Sequence, residues 1–530
     1  MPLDRCDGWL HRTGAVSPAV FTFRASLRLP VMRRFPVLIV VLLTSTACTT
    51  MSNTARSYLT APNGLQIDDE RVRVLLQRGM ADSAFRAVAN RKSTLSPDDR
   101  LLRLLYQASA ARYAGRYREA GALFDQAFAV SEDRFTKSIG RTAASLLTND
   151  YALPYTAGRN ERLLLHGNAV LAWSAAGDHD AAAVEARRLV ALLASVGEPD
   201  DDERPMRATM HALAAAAFEQ AGDWNDADVA RRNAARLGAA VDTSWSTPAD
   251  SMGDVLVVVE RGEIAHKVAV GLTIPIFGGD DRNTSAGAYA AQRFLGDLGA
   301  LRNGGIWYDD TPSWRFADTR YGPLRGQRAS YLLDMSWPVL RRAPWPGVGE
   351  LRVRLDMAEP AVAVTASLSD ALASDYRRDR SAIMTRTVSR AVAKYVAARA
   401  VEAAVEAAAR PDDDGSKSKP KKKKKNGEGA KVIGMMARVF TNAATTALER
   451  ADTRAWTLLP GSLSLVRVRI PAGSHDVLVE AAGMRQLTLP GVIVRPGRTT
   501  IVSARLWRPV GQSFRPVVER SGIRDTAPER

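Results

Sequence analysis

Ala114-Gly115-Arg116-Tyr117-Arg118-Glu119-Ala120, Ala176-Gly177-Asp178-His179-Asp180-Ala181-Ala182 and Ala221-Gly222-Asp223-Trp224-Asn225-Asp226-Ala227 are three versions of one local instruction. Each places a glycine where a helix ends, an acidic or aromatic residue in the turn, and alanines at spacings of three to seven in the next helix. Phe124 and Ala127 follow the first block, Ala186 the second and Ala234 the third. Around them, from Asp69 to about Ala240, Ala, Leu and Arg recur with helical periodicity. Small residues on facing sides let antiparallel helices approach closely, so these blocks predict a stack of helical hairpins. The glycines lie 62 and 45 residues apart, which requires extra helices between the units.

The blocks resemble tetratricopeptide repeats, whose turn reads Leu-Gly-Asp-Tyr followed by small and aromatic residues at these offsets. The resemblance implies a concave face for a peptide or a partner helix, with no chemistry of its own.

Composition changes near Asp254. Asp254 to Glu260 is a short β-branched run expected as a buried strand, and Ile264–Ile276, Leu351–Leu355 and Ala361–Ala366 are further strand candidates. Gly278 to Gly349 reads as loop, rich in Gly, Asp, Arg, Trp and Pro. Leu368 to about Arg410 is helical, with Arg377, Arg378, Arg380, Arg386 and Arg390 forming either a cationic surface or a solvated face. Lys417, Lys419 and Lys421–Lys425 lie in a linker with nothing to bury. Ala430 to Arg450 is predicted helical. Leu463–Ile470 and His475–Ala481 are expected to form one hairpin about Pro471-Ala472-Gly473, and Val492–Val494 with Thr499–Leu506 a second.

The expected fold is α+β: a tetratricopeptide-like α-helical hairpin stack, then a mixed domain with a small C-terminal β-sandwich-like module. The boundaries predicted are a helical domain over 67–245, a mixed domain over 250–410, a Lys-rich linker over 411–429, a helix-plus-hairpin module over 430–510 and a loose tail over 511–530.

Near the N-terminus, Arg33-Arg34 precede an apolar run from Phe35 to Leu43, then Thr44-Ser45-Thr46-Ala47 and Cys48. Cations, a short apolar core and small residues make a secretory signal, and the run falls well short of the ~20 residues that cross a bilayer. The stretch resembles a bacterial lipoprotein signal peptide, which implies lipidation of Cys48 and a tether over 48–66. Met32 is the better start for such a signal, so residues 1–31 are read as an over-extended start. Residues 1–47 hold six Lys or Arg and two Asp or Glu, so their removal takes the net charge from +16 to +12. Cys6 would leave with them, and no disulfide within the chain would then be possible. Thr49, where an aspartate would resemble an inner-membrane retention signal, points to an outer-membrane lipoprotein facing the periplasm.

Two further segments carry a resemblance. One runs from Asn149 through Pro154, Tyr155 and Gly158 to Glu161, with Val184-Glu185-Ala186-Arg187-Arg188 beyond it. The other is Ala451-Asp452-Thr453-Arg454-Ala455-Trp456-Thr457-Leu458-Leu459-Pro460. Together they resemble an uncharacterised bacterial lipoprotein family with a tetratricopeptide-like N-terminal half. The matching positions are Asn149, Pro154, Tyr155, Gly158, Glu161, Glu185, Arg187 and Arg188, then Asp452, Arg454, Trp456, Leu459 and Pro460. Glu161 either pairs with an arginine to fix helix packing or lines a ligand groove with Tyr155 and Arg188; Glu185 and Arg187 are carried as tentative binding residues beside them. Asp452 and Arg454 are expected to brace a turn while Trp456 packs on the sheet.

No Gly-x-Ser-x-Gly elbow, phosphate-binding loop, His-Glu-x-x-His or Cys-x-x-Cys occurs in the sequence. The six histidines are scattered singly, so no metal and no cofactor is assigned. The secretory signal argues against nucleic acid as the target of the lysine run. The sequence reading is a lipid-anchored scaffold for an envelope protein partner, in cell-wall or outer-membrane assembly. The alternative is a cell-wall-active enzyme or enzyme regulator using the second half.

Overall fold

A computed structural model describes residues 64–89, 99–137, 154–244, 247–249, 251–277, 329–341, 350–356, 358, 360, 362–408 and 451–507. The chain divides into two compact units, 1–60 and 61–530, and every described residue belongs to the second. The signal segment, Cys48, Asn149, the lysine run and the expected 430–450 helix lie outside the described residues.

Eight helices open the second unit: α1 (Gly64–Gln77), α2 (Ala81–Ala89), α3 (Arg100–Tyr113), α4 (Tyr117–Lys137), α5 (Arg159–Ala175), α6 (His179–Ser195), α7 (Arg204–Ala221) and α8 (Trp224–Arg236). The first begins three residues inside the expected tether. Gly79, Gly115, Gly177 and Gly222 close α1, α3, α5 and α7 at φ of 75°, 74°, 75° and 91°, a left-handed conformation costly for other residues. Each glycine reverses the chain into the next helix, giving four hairpins whose faces stack through α4 on α5 and α6 on α7. Alanines and glycines allow the approach. A Cβ built on Gly121 would lie 2.4 Å from the Trp173 ring, and one on Gly167 would lie 2.8 Å from the Met210 sulfur.

The strands are β1 (Met252–Arg261), β2 (His266–Phe277), β3 (Ala329–Arg341), β4 (Leu351–Leu355), β5 (Val362–Ser367), β6 (Ser462–Pro471), β7 (Gly473–Ala481), β8 (Leu487–Val494) and β9 (Thr499–Leu506). A long helix, α9 (Leu368–Ala408), stands between β5 and β6 in sequence. One sheet runs β5-β6-β1-β9, a second β4-β7-β8, and β2 pairs with β3 in a two-stranded ribbon. β1 is antiparallel to β6 and parallel to β9, and nearly every residue of it is buried. Leu256 and Val258 face the helices, while Val255, Val257 and Val259 meet Val353, Val477 and Val479 of the second sheet. The architecture is therefore three layers: helical stack, mixed sheet, antiparallel sheet.

Four expectations are corrected by the strand pairing. The described strands of the 250–410 and 430–510 segments form one body, because β1 lies between β6 and β9 and β4 pairs with β7. The Pro471-Ala472-Gly473 turn makes no hairpin between β6 and β7. It carries the chain from one sheet to the other, with Ala472 N donating to Ser251 O at 2.9 Å and Gly473 at a φ of 148°. The same holds at Arg495–Arg498, since β8 belongs to the second sheet and β9 to the first. Finally, β3 lies within the stretch read as loop, where its pairing to β2 outweighs a weak local signal.

The arginine face of α9 is not a free cationic surface. Arg390 and Thr387 are fully buried, Arg377 pairs with Asp202 at 2.5 Å, and Arg378 meets Glu203 at 2.6 Å and Asp200 at 3.1 Å. These pairs clamp α9 onto the loop preceding α7.

Candidate functional site: a cleft between the helical rim and two strand edges

All three glycine blocks of the sequence arrive at the same place. Tyr117 and Arg118 follow Gly115, Asp178 to Asp180 follow Gly177, and Ala221 precedes Gly222; together with the ends of α5 and α7 they form one wall of a cleft of about 900 Å³. β8 supplies the opposite wall through Leu489, Val492 and Ile493, and residues 499–503 of β9 run along its floor. Ile493 is 60% exposed and Tyr117 36%, so both apolar surfaces are open to solvent.

The turn residues set the local charges. Asp178 caps α6 by accepting from Ala181 N at 3.1 Å, and pairs with Arg118 at 3.8 Å. His179 Nε2 lies 2.9 Å from Arg495 Nη1. Burial, reinforced by Arg495, pushes His179 below its ordinary value, so the ring is neutral at pH 7. Arg498 stands over the Trp224 ring at 5.8 Å and fits against Gly222, where an added Cβ would come within 2.7 Å of its Nη1. Among the described residues, neither Arg495 nor Arg498 meets a carboxylate.

The shape of this cleft depends on Gly253. A Cβ there would lie 2.4 Å from the Arg495 carbonyl oxygen and 2.7 Å from Val494 Cγ1, and backbone cannot swing aside like a side chain. Gly253→Ala is expected to cost about 1–3 kcal/mol. It should also displace the Arg495 turn, read as a His179 titration returning toward its ordinary value in NMR. An unchanged His179 titration with unchanged stability would contradict this.

The tentative binding residues lie elsewhere, in two separate places. The Tyr155 hydroxyl sits 2.9 Å from both Glu161 carboxylate oxygens, and Glu161 reaches back to accept from Gly158 N at 2.9 Å, so it caps α5. Where an arginine partner is expected, Glu161 holds a tyrosine; burial, with the Glu161 charge beside it, raises Tyr155 well above its ordinary value. Pro154 is half-buried just before it. On α6, Glu185 is 2% exposed and bonds His166 Nδ1 at 2.8 Å and the Arg188 guanidinium. Arg188 also meets Asp125 at 3.2 Å, and Arg187 is held by Asp223 at 2.5 Å and Asp226 at 3.3 Å. None of the five lines the cleft.

The second motif meets the first. Arg454 takes Asp452 through Nε at 2.8 Å and Nη2 at 2.7 Å, reaches Asp99 at 2.6 Å, and stands 6.0 Å from the Tyr155 ring centroid. Trp456 points into the helices rather than onto the sheet: its Nε1 donates to Ser109 Oγ at 2.9 Å and its ring lies 6.1 Å from Phe124. The reason is geometric, since residues 451–461 cross under α3 and α4 before β6 begins, with Leu459 and Pro460 buried there. Arg454 and Trp456 thus hold the crossing segment against the helices, while Glu185, Arg187 and Arg188 tie neighbouring helices to one another.

A dense polar cluster around Glu203 carries no sequence motif. Glu203, with no exposed surface, accepts from Arg378 at 2.6 Å, Arg159 at 2.5 Å, Arg207 at 3.1 Å and Asn160 at 2.9 Å, which holds its carboxyl down at about 2. Its only sequence signal is the acidic run Asp200–Glu203, complementary to Arg377 and Arg378.

Beside it, Asp375 of α9 accepts from Asn160 N at 2.7 Å, adding a second cap to α5. Burial pushes Asp375 up to about 7, with Glu161 and Glu203 reinforcing and the Asn160 amide and Arg159 opposing. The folded value exceeds the ordinary 3.8, so folding favours the protonated form, and the stability this group contributes, complete below about 3.8, is lost as pH rises through about 7. Asp375→Asn should therefore stabilise the protein at pH 8 by about 1–3 kcal/mol and change it little below about pH 4. Equal effects at both pH values in urea titrations would contradict the assignment.

No family model and no curated protein matches this chain. Among solved structures, the Podosopora anserina putative kinesin light chain with nearly identical TPR-like repeats is similar at 20% identity, over 33% of this chain and 95% of that chain, with a TM-score of 0.19. Among the described residues, no helix is long and apolar enough to cross a membrane, and no group of three or more His, Cys, Asp or Glu is placed to hold a metal ion.

Proposed function

We propose that this chain is a lipid-anchored cell-envelope protein that serves as a protein-protein interaction scaffold, with the cleft between the helical rim and β8–β9 as its docking position. One observation carries the docking reading: a cleft of about 900 Å³ combines exposed apolar side chains, two arginines without carboxylate partners among the described residues, and two strand edges. That mixture suits a polypeptide better than a small apolar ligand. Buried ion pairs elsewhere join the helical stack to the sheet, Arg112 to Glu260 at 2.5 Å and Arg467 to Glu219 at 2.7 Å. Anchoring rests on Arg33-Arg34, the apolar run and Cys48.

The test places a photo-crosslinking residue at Ile493 and, as a control, at Val184, which is 44% exposed on α6 away from the cleft. A discrete adduct with one envelope protein from Ile493 and none from Val184 supports the scaffold. Equal adducts from both positions, or hydrolysis of purified cell wall by the unmodified protein, would overturn it. Mass spectrometry of the native N-terminus tests the anchor: an unlipidated chain beginning upstream of Cys48 removes it.

A further inference from the structure

We propose that β9 binds its partner by strand addition: an extended peptide with acidic residues at one end joins the free edge of β9, its acids meeting Arg495 and Arg498. This rests on the scaffold reading and specifies how the cleft would be filled.

β9 is the last strand of its sheet and bonds on one side to β1. The Asp254 amide donates to the Arg498 carbonyl at 3.0 Å, which fixes the phase of the ladder. In a parallel pair, alternate residues turn both backbone groups toward the neighbour. Residues 498, 500 and 502 therefore face β1, and the amides and carbonyls of Thr499, Ile501 and Ser503 face the cleft. Those three residues lie within the stretch that lines it. Five residues of strand span about 17 Å, enough for a guest segment of similar length.

The other candidate edge is poorer. β8 carries Pro490 and Gly491 in its middle, and the Gly491 amide is taken by Asp476 at 2.9 Å. Thr499-Thr500-Ile501-Val502-Ser503 has no proline, glycine or charge, the devices by which proteins blunt an edge strand. An unblunted edge inside a cleft, sheltered from large sheets but reachable by a single chain, is the setting of strand addition.

Charge selects the guest. Arg118 is matched by Asp178 on the same wall of the cleft, whereas Arg495 and Arg498, just before β9, have no carboxylate among the described residues. Among the described residues, Arg495 meets the neutral His179 ring and no charged partner. A guest carboxylate would supply the missing counter-charge.

The probe is a fluorescein-labelled Glu-Glu-Thr-Val-Thr-Val-Thr-Glu-Glu peptide amide, measured by anisotropy against the full chain. Two N-methylated versions block alternate amides, one set on each edge of the guest strand. Binding should fall by about tenfold or more with one set and stay within about twofold with the other. Ser503→Pro, which removes an outward amide and leaves the β1 ladder intact, should weaken binding similarly, as should the pair Arg495→Glu and Arg498→Glu. Thermal melts confirm that each variant folds. Strand addition is overturned if the unmethylated peptide does not bind, if both methylated sets bind alike, or if the Ile493 crosslink to the envelope partner persists unchanged in Ser503→Pro. The last result would leave the scaffold standing without this mode, whereas loss of position-specific crosslinking in the unmutated chain sinks the scaffold itself.

Discussion

Trp456→Ala is expected to lower the unfolding free energy by about 3–5 kcal/mol, with the urea midpoint falling accordingly. The side chain is 1% exposed and fills the space between α3 and α4, beside Phe124. Its loss leaves a cavity among helices that cannot collapse, because the clamp formed by Arg454, Asp452 and Asp99 fixes the crossing segment at its other end. Ser109 would also lose the indole donor it accepts. Ser109→Ala alone should cost only about 1 kcal/mol, since it removes one hydrogen bond and little volume. A midpoint for Trp456→Ala within error of the unmutated protein would mean that this segment does not pack under the helices.

Glu203→Ala is expected to be comparably severe, at about 3–5 kcal/mol. The carboxylate has no exposed surface and pairs with Arg159, Arg207 and Arg378 together, so its removal takes that partner from the buried Arg207 as well as from the more exposed Arg159 and Arg378. The cost falls at the junction of α5, α7 and α9, and local loosening should appear there first by hydrogen exchange. The pH dependence follows from the folded value of about 2 against an ordinary 4.5. Because the folded value is the lower one, the stabilisation is complete above about 4.5 and is lost as pH falls through about 2. Because the variant starts less stable, its acid unfolding should set in at higher pH than that of the unmutated chain. Identical acid midpoints for the variant and the unmutated chain would contradict this placement.

Both predictions concern residues whose importance local patterns do not display equally. Trp456 sits in a recognisable motif, yet the sequence around it does not say which layer the segment crosses, and the strands that follow suggest the sheet as its packing partner. Glu203 belongs to an acidic run that reads as a loop, and only the approach of α9 makes it an interior group. The cleft shows a mixed case. Its helical rim is the glycine blocks themselves, which are plain in the sequence. Its other wall is not, because the neighbouring residues Val494 and Thr499 enter different sheets.

By itself the sequence determined the four features that depend on short-range sterics: the glycine stops, the close-packed alanine faces, the buried β-branched run of β1 and the long helix after Ser367. Each follows from backbone conformations and periodicities that a dozen residues suffice to specify. Only the tertiary structure decided that β1 pairs with a strand more than two hundred residues away, that Pro471-Ala472-Gly473 crosses between sheets, and that Arg378 is spent on Glu203 instead of solvent. Those outcomes depend on which of several chemically similar strands and charges can reach one another once the helices have stacked, and distance through space is not written in local composition.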